Sequence, residues 1–326
     1  MTCDVLCLRP EADFQRADSL PPVSLRVAYR APLDADVPQL MKEARALVIP
    51  AVGPKLPPDL FDAASIRFVQ VTGAGLDRLD LSLLKKLNIT AANVPGGSNS
   101  AVAEYVVTTA SVLLRQFAWA DAEIRAGRYR DSRARMLADN LAGLDGLTVG
   151  IVGFGIIGMA VADAFHKRGC RILFYDPVPR DAALTEPLAA QSVSLEEVLK
   201  MADVITLHVP LLPTTQGLIG ARQLAMMKAD AVLIQSSRGG IVDEVALANS
   251  LKSGHLRGVA VDVYSTEPPD ADHPLVALQG EAARRILFTP HIAGVTRQSV
   301  AFLFRSAWRN VARVLIEGEP PLHCVC

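Results

Sequence analysis

The chain has 326 residues, room for about two domains of roughly 150 residues each. Hydrophobic residues make up 50% and charged residues 21%, the composition of an ordinary globular enzyme. Lys plus Arg number 33 against 34 Asp plus Glu, a formal net charge of −1, which argues against a nucleic-acid binder acting through bulk positive charge. The five cysteines, Cys3, Cys7, Cys170, Cys324 and Cys326, are odd in number and contain no CxxC. They read as free thiols of a reducing compartment rather than a disulfide or zinc framework. No basic n-region precedes an apolar run at the N-terminus. The most apolar long stretch, Leu147 to Ala162, is broken by glycines and Thr148 and is too short to span a membrane. These features place the chain in the cytoplasm, without nucleic-acid or membrane partners.

The first hundred residues alternate short apolar strands (Val5–Leu8, Leu25–Tyr29, Ala46–Ile49, Phe68–Val71, Ile89–Ala91) with helical stretches such as Val37–Glu43 and Asp59–Ala64. That rhythm predicts a small parallel sheet with helices on both faces. A loop from Asn93 runs into a long helix over about Ala101–Gln116, and a second helix covers about Trp119–Ala126. The arginine-rich segment Arg128–Arg135 reads as a solvated or subunit-facing surface. From Leu147 a second series begins, with strands at Leu147–Val152, Ile172–Asp176, Val204–Leu207, Ala231–Ser236, Val259–Val263 and Ile286–Phe288. A capping box opens a helix at Ser194, and another helix runs from near Asp243 to Gly254. Six strands with helical crossovers predict a doubly wound domain. A last amphipathic helix, about Gln298–Ile316, packs back on an earlier domain, and the tail with His323, Cys324 and Cys326 reads as frayed.

Gly153-Phe-Gly155-Ile156-Ile157-Gly158 directly follows an apolar strand and opens a helix. In that context GxGxxG is a dinucleotide turn: Gly153 permits the tight turn, Gly155 lets a pyrophosphate approach the backbone, and Gly158 allows close helix–strand packing. Free N–H groups at the helix start, including those of Ile156 and Ile157, face the phosphate charge. Asp176, ending the next strand, suits the ribose hydroxyls of adenosine and repels a 2′-phosphate, which favours NAD over NADP. Arg180 nearby keeps NADP in play.

Ligands of such sheets lie beyond the carboxyl ends of the strands. Strand four of this domain is followed by Gln235-Ser-Ser-Arg238, strand five by Asp262-Val-Tyr-Ser-Thr-Glu267, and strand six by Thr289-Pro-His291. Arg238, Glu267 and His291 are therefore expected on one rim. Hydride transfer to or from a carbon bearing oxygen needs a proton partner, and histidine serves in both directions. A carboxylate on the imidazole fixes its tautomer and favours its protonated form. A guanidinium holds a substrate carboxylate and polarises the adjacent carbonyl. These are not metal-ligand spacings. His208 reads as structural, and His166, His255 and His273 have no nameable partner.

With these residues the sequence resembles the D-isomer-specific 2-hydroxyacid dehydrogenase family along nearly its whole length. The motifs are Gly73-Ala-Gly75-Leu-Asp77, Asn93-Val-Pro95, Val102-Ala-Glu104, the glycine turn, His208-Val-Pro210-Leu with Thr215, Ser237-Arg-Gly-Gly-Ile-Val-Asp243, Asp262-Val with Glu267-Pro268, and Thr289-Pro-His-Ile-Ala-Gly294. The resemblance implies that Arg238, Glu267 and His291 are catalytic. It implies an α/β fold of two doubly wound parallel-sheet domains: a smaller flavodoxin-like substrate domain (1–99 plus 295–326) and a Rossmann NAD-binding domain (100–294), with the active site in the cleft and hinge closure on binding. It carries over cofactor contacts at Val209, Pro210, Thr215, Ser236, Ser237, Arg238, Asp262, His291 and Gly294, with Asp262 at the nicotinamide carboxamide. It carries over a substrate-carboxylate loop at Thr72–Leu76, where the N–H groups near Ala74 and Gly75 bind. It also implies a homodimer paired through about Ala101 to Leu144.

The chain departs from the family in three places. Ile156 and Ile157 are both apolar, so the pyrophosphate relies on backbone N–H groups. The usual Asn-x-Ala-Arg-Gly reads Gln235-Ser-Ser-Arg-Gly, and Ser98 stands where some members have Asn. The leading expectation is an NAD-dependent reductase of small 2-oxo acids such as glyoxylate or hydroxypyruvate, giving D-2-hydroxy acids. A rival is D-3-phosphoglycerate oxidation, which needs cations such as Lys55 and Arg78 for the phosphate. Formate or phosphite oxidation is more distant, since formate members have Gln where Glu267 stands. A dinucleotide-sensing binding protein of the same fold is the alternative from another class.

Overall fold

Runs of Val, Ile, Leu and Ala flanked by Gly, Pro or Asp form buried strands wherever both faces can be covered by helices. The computed structural model describes residues 3–326, and its strands are β1 Val5–Cys7, β2 Val27–Tyr29, β3 Ala46–Ile49, β4 Phe68–Val71, β5 Thr90–Ala92, β6 Thr148–Val152, β7 Arg171–Tyr175, β8 Ala190–Ser192, β9 Val204–Leu207, β10 Val232–Gln235, β11 Gly258–Val261 and β12 Ile286–Phe288. Residues up to Ser98 together with Val295–Cys326 form one compact unit, and Asn99–Gly294 form the other.

In the first unit β1–β5 make a parallel sheet in the order β2-β1-β3-β4-β5, the flavodoxin-like order. One side is covered by Val37–Glu43 and Leu81–Lys86, with Leu40, Met41 and Leu84 packed on Leu6, Leu47, Ile49 and Val69. The other is covered by Glu11–Arg16 and the long helix Arg297–Ala312, through Phe14, Phe304, Trp308 and Val311. Burying the three of these that the long helix supplies, Phe304, Trp308 and Val311, contributes roughly 1.5–3 kcal/mol each, which is why a helix distant in sequence returns to this sheet. Asn310 fixes its register: its amide donates to Gln70 Oε1 at 2.9 Å and to the carbonyl of Leu322, and its Oδ1 accepts the Leu322 N–H.

The tail is not frayed. Val325 N–H donates to the Ala91 carbonyl and Ala91 N–H to Cys326 O, so the chain's end adds an antiparallel bridge along β5. An edge strand with open N–H and C=O groups recruits whatever backbone can reach it. The stretch expected to be helical at Asp59–Ala64 is a single 3₁₀ turn, Pro58–Phe61, ended by Ala63 at φ 56.

In the second unit β6–β12 form a parallel sheet in the order β12-β11-β10-β9-β6-β7-β8. This is the doubly wound order with a seventh strand. The strand missed by sequence, β8, is short and polar and lies at the edge, so it carries no run of buried apolar residues. Asn99–Leu114 packs on one face with Ile156–His166, joining Val106, Ala110, Val161 and Phe165 to the strands. Leu195–Met201, Ala221–Met226 and Glu244–Lys252 cover the other face. The capping box at Ser194 has both its bonds, and Gly254 ends its helix at φ 82. The arginine-rich segment is itself helical, Tyr129–Ala138. Among the described residues no helix is long and apolar enough to cross a membrane, and no group of His, Cys, Asp and Glu could hold a metal ion.

Candidate active site

The sheet order reverses between β6 and β9, and the loop after β6 is the glycine turn. Gly153 lies at φ 93, where a Cβ would come within 2.5 Å of the His208 carbonyl oxygen. A Cβ on Gly158 would meet the Gly153 oxygen at 2.2 Å. These two glycines are required by contact. Gly155 is different: a Cβ there meets nothing within 4 Å. It caps Ile156–His166, so open space lies directly in front of the helix N-terminus. Ser236 Oγ is buried without a hydrogen-bond partner. An open cradle at a helix start and an orphaned hydroxyl beyond a strand end are what a bound dinucleotide would fill, so the residues present fit NAD.

Asp176, just past β7, accepts hydrogen bonds from Phe154 N–H at 2.7 Å, Val178 N–H at 2.9 Å and Arg180 Nη2 at 2.6 Å. Burial pushes its carboxyl up, but these donors outweigh burial and hold it below the usual carboxylate range. The sequence flagged Arg180 as a candidate partner for a 2′-phosphate; the structure pairs it with Asp176 instead. Exposed apolar side chains flank the turn on both sides, Val178 after β7 and Leu211 and Leu212 after β9. After β9, Val209 is buried and Pro210 exposed. Thr215 folds this loop, donating to Pro210 O at 2.6 Å and accepting the Leu212 N–H. Burial pushes the imidazole of His208 down to about 3, so it is neutral, and its Nε2 lies 2.9 Å from Thr206 Oγ1.

Arg238, Glu267 and His291 follow β10, β11 and β12, three adjacent strands. His291 Nδ1 lies 2.9 Å from Glu267 Oε2 and 3.2 Å from Oε1. Glu267 also accepts Tyr264 N–H at 3.1 Å. Arg238 is half-buried, and its Nη1 donates to the Ser237 carbonyl at 2.7 Å. Gln235, in place of the family's Asn, donates to Arg238 O and accepts from Ser237 Oγ, closing that loop on itself.

His291 sits at φ 55, the left-handed region that a non-glycine residue adopts only when its surroundings enforce it. Asp262 supplies the enforcement. Its carbonyl accepts His291 N–H at 2.8 Å, and its carboxylate accepts Ile292 N–H at 2.8 Å, Ala293 N–H at 2.9 Å and Thr289 Oγ1 at 2.6 Å. Thr289 in turn lies 2.7 Å from Tyr105 Oη, on the long helix. Sequence reasoning assigned Asp262 to a carboxamide and missed this use, as well as Tyr105. Gly294 closes the loop and the unit.

Ala74 and Gly75 belong to the first unit, in the loop after β4. Asn93 Nδ2 donates to Ala74 O at 2.7 Å, and Val94 N–H to Gly73 O at 2.9 Å. Arg78 in the same loop is 2% exposed, with Nε on Pro54 O and Nη1 on Pro50 O. Lys55 pairs with Asp80 at 3.5 Å.

Residues 107–293 match the model of the D-isomer specific 2-hydroxyacid dehydrogenase NAD binding domain. A glyoxylate reductase of Korarchaeum cryptofilum is 34% identical over 288 residues, covering 87% of this chain and 83% of that protein. A D-3-phosphoglycerate dehydrogenase of Archaeoglobus fulgidus is 33% identical over 238 residues, covering 73% of this chain, and the match spans only 43% of that longer protein. A crystal structure of a Thermus thermophilus protein superposes with a TM-score of 0.82 at 30% identity, over 99% of both chains.

Proposed function

This chain belongs to the D-isomer-specific 2-hydroxyacid dehydrogenase family, and on that premise we propose that it transfers a hydride between NAD(H) and a small 2-oxo/D-2-hydroxy acid of the glyoxylate or hydroxypyruvate class. The observation that carries the reading is the His291–Glu267 hydrogen bond, on the rim that Arg238 also occupies. NADH supplies the hydride when bound. His291 Nε2 faces the substrate oxygen and gives it a proton in reduction or takes one in oxidation. Glu267 on Nδ1 fixes the imidazole so that Nε2 is the working nitrogen. Arg238 clamps the substrate carboxylate and polarises the neighbouring carbonyl. The N–H groups of Ala74 and Gly75 are the remaining candidates for that carboxylate. Unit one acts as the substrate domain and unit two as the cofactor domain.

The free N–H groups before Ile156–His166 hold the pyrophosphate, with Ser236, Ser237, Asp262 and Gly294 toward the nicotinamide. Asp176 takes the adenosine ribose, and its pairing with Arg180 keeps that guanidinium from a 2′-phosphate, which supports NAD over NADP. Burial of Arg78 against two proline carbonyls leaves a substrate phosphate without one of the two cations the sequence suggested. That supports an unphosphorylated acid over D-3-phosphoglycerate. We further place the protein in the cytoplasm, on its five free cysteines, and as a homodimer through the helices after Asn99, where Phe117, Ile124, Tyr129 and Leu137 are exposed.

The test is turnover of a panel of 2-oxo acids with NADH, followed by absorbance. His291→Ala should lower kcat by about 10²–10⁴-fold while NADH binding persists. A wild-type protein that binds NADH but turns over none of these acids would favour the sensing alternative, and undiminished turnover in the variant would remove His291 from the chemistry.

A further inference from the structure

His273 is the histidine for which the sequence offered no partner, and the structure buries it against Glu244. Its side chain is 7% exposed and that of Glu244 12%. Nε2 of His273 lies 3.0 Å from Glu244 Oε2, while Nδ1 accepts Leu275 N–H at 3.3 Å. An acceptor bond at Nδ1 selects the tautomer with hydrogen on Nε2, so the imidazole donates to the carboxylate. Glu244 also takes the Ser265 N–H at 2.8 Å on Oε1 and the Ser265 hydroxyl on Oε2. Its two oxygens thus collect three donors from the segment that carries Glu267.

The consequences run to all three candidate catalytic loops. Glu244 opens the helix that follows the Arg238 loop. Tyr264, next to Ser265, packs its ring edge-on to His273 at 5.9 Å. Its N–H donates to Glu267 Oε1, and its hydroxyl donates to Thr289 O at 3.0 Å, two residues before His291. The Arg238 loop touches the same point: a Cβ on Gly239 would lie 1.9 Å from Tyr264 O and 2.5 Å from Ser265 N. Backbone of one loop rests on backbone of the next.

We propose that Glu244, with His273, is a positioning pair that holds the Tyr264–Glu267 segment so that Glu267 meets His291 in register with Arg238. It rests on the roles proposed above for those three residues. The pair touches no reacting atom. Its loss misplaces the carboxylate and the imidazole, while the glycine turn and Asp176, which follow β6 and β7, are untouched.

Glu244→Gln keeps the size but sets an amide N–H against the donors. We expect kcat with glyoxylate or hydroxypyruvate to fall about 10–100-fold, as a displacement of about 1 Å would cause. KM for the acid and Kd for NADH should stay within about threefold. His273→Leu should act alike, and His273→Gln, whose amide N–H reaches as far as Nε2, should restore most of the loss. A folded Glu244→Gln protein with wild-type kcat, or a His273→Gln protein no better than His273→Leu, overturns the proposal. If Glu244→Gln does not fold, the two His273 variants decide. If the wild type reduces no 2-oxo acid, the functional reading fails separately, and a crystal structure of Glu244→Gln judges the pair: Glu267 should leave hydrogen-bond distance of His291 Nδ1, and an unmoved Glu267 overturns it.

Discussion

Two glycines of the dinucleotide turn should fail in opposite ways when each gains one methyl group. A Cβ on Gly158 would lie 2.2 Å from the Gly153 carbonyl oxygen, where an ordinary C···O contact is about 3.3–3.6 Å. Helix Ile156–His166 must therefore shift from the turn by about 1 Å, and neither partner is a side chain that could rotate away. Such overpacking costs roughly 1–3 kcal/mol, against a gain of at most about 1 kcal/mol from replacing glycine by alanine in a helix. Gly158→Ala should lose about 1–2 kcal/mol, a drop in Tm of roughly 2–8 °C for a unit of this size. Gly155 has φ −77 and nothing within 4 Å of its would-be Cβ, so Gly155→Ala should keep stability within about 1 kcal/mol. Its methyl group instead occupies the approach of a pyrophosphate to the helix N-terminus, and NADH affinity should fall at least about tenfold, or 1.4 kcal/mol. Thermal melts and calorimetric titration with NADH separate the two. Wild-type NADH affinity in Gly155→Ala would refute the placement of the pyrophosphate, and unchanged melting of Gly158→Ala would refute the packing argument.

Asp262→Asn should release the strained His291 loop, because an amide cannot accept three donors across both atoms; we expect a loss of about 1–3 kcal/mol, read by urea unfolding, together with reduced kcat. The Asp176 carboxyl is held below the usual range, so its stabilising contribution is present above the unfolded value of about 3.9 and is lost as pH falls through the lower native value. Urea midpoints of Asp176→Asn should therefore fall less than those of wild type on acidification through this range, and parallel curves would contradict that sign. Asp176→Ala should narrow the preference for NADH over NADPH, measured as the ratio of kcat/KM values.

Central strands were legible because burial on both faces demands unbroken apolar runs: Ala46–Ile49, Phe68–Val71 and Val204–Leu207 have the bounds their composition suggests. Edges were not. Ala190–Ser192 is polar and short, and the pairing of Val325 and Cys326 with β5 has no signature in the tail itself, since it depends on an open strand edge supplied by residues more than two hundred positions earlier. The helix Tyr129–Ala138 was hidden because its arginines give no apolar periodicity.

What the sequence determined alone were the features that local backbone chemistry dictates: the glycine turn between strand and helix, the capping box at Ser194, the helix start near Asp243, and the placing of Arg238, Glu267 and His291 after successive strands. Tertiary structure decided what those side chains touch. Asp262 binds the His291 loop rather than standing free, Arg180 turns onto Asp176, Arg78 points into the loop of Pro50 and Pro54, and His273 finds Glu244. Apart from the local Arg180–Asp176 pair, each of these contacts joins a charged or polar side chain to donors or acceptors on a different turn or loop. Burial makes an unpaired polar group costly, and only the packed chain determines which partner lies within reach.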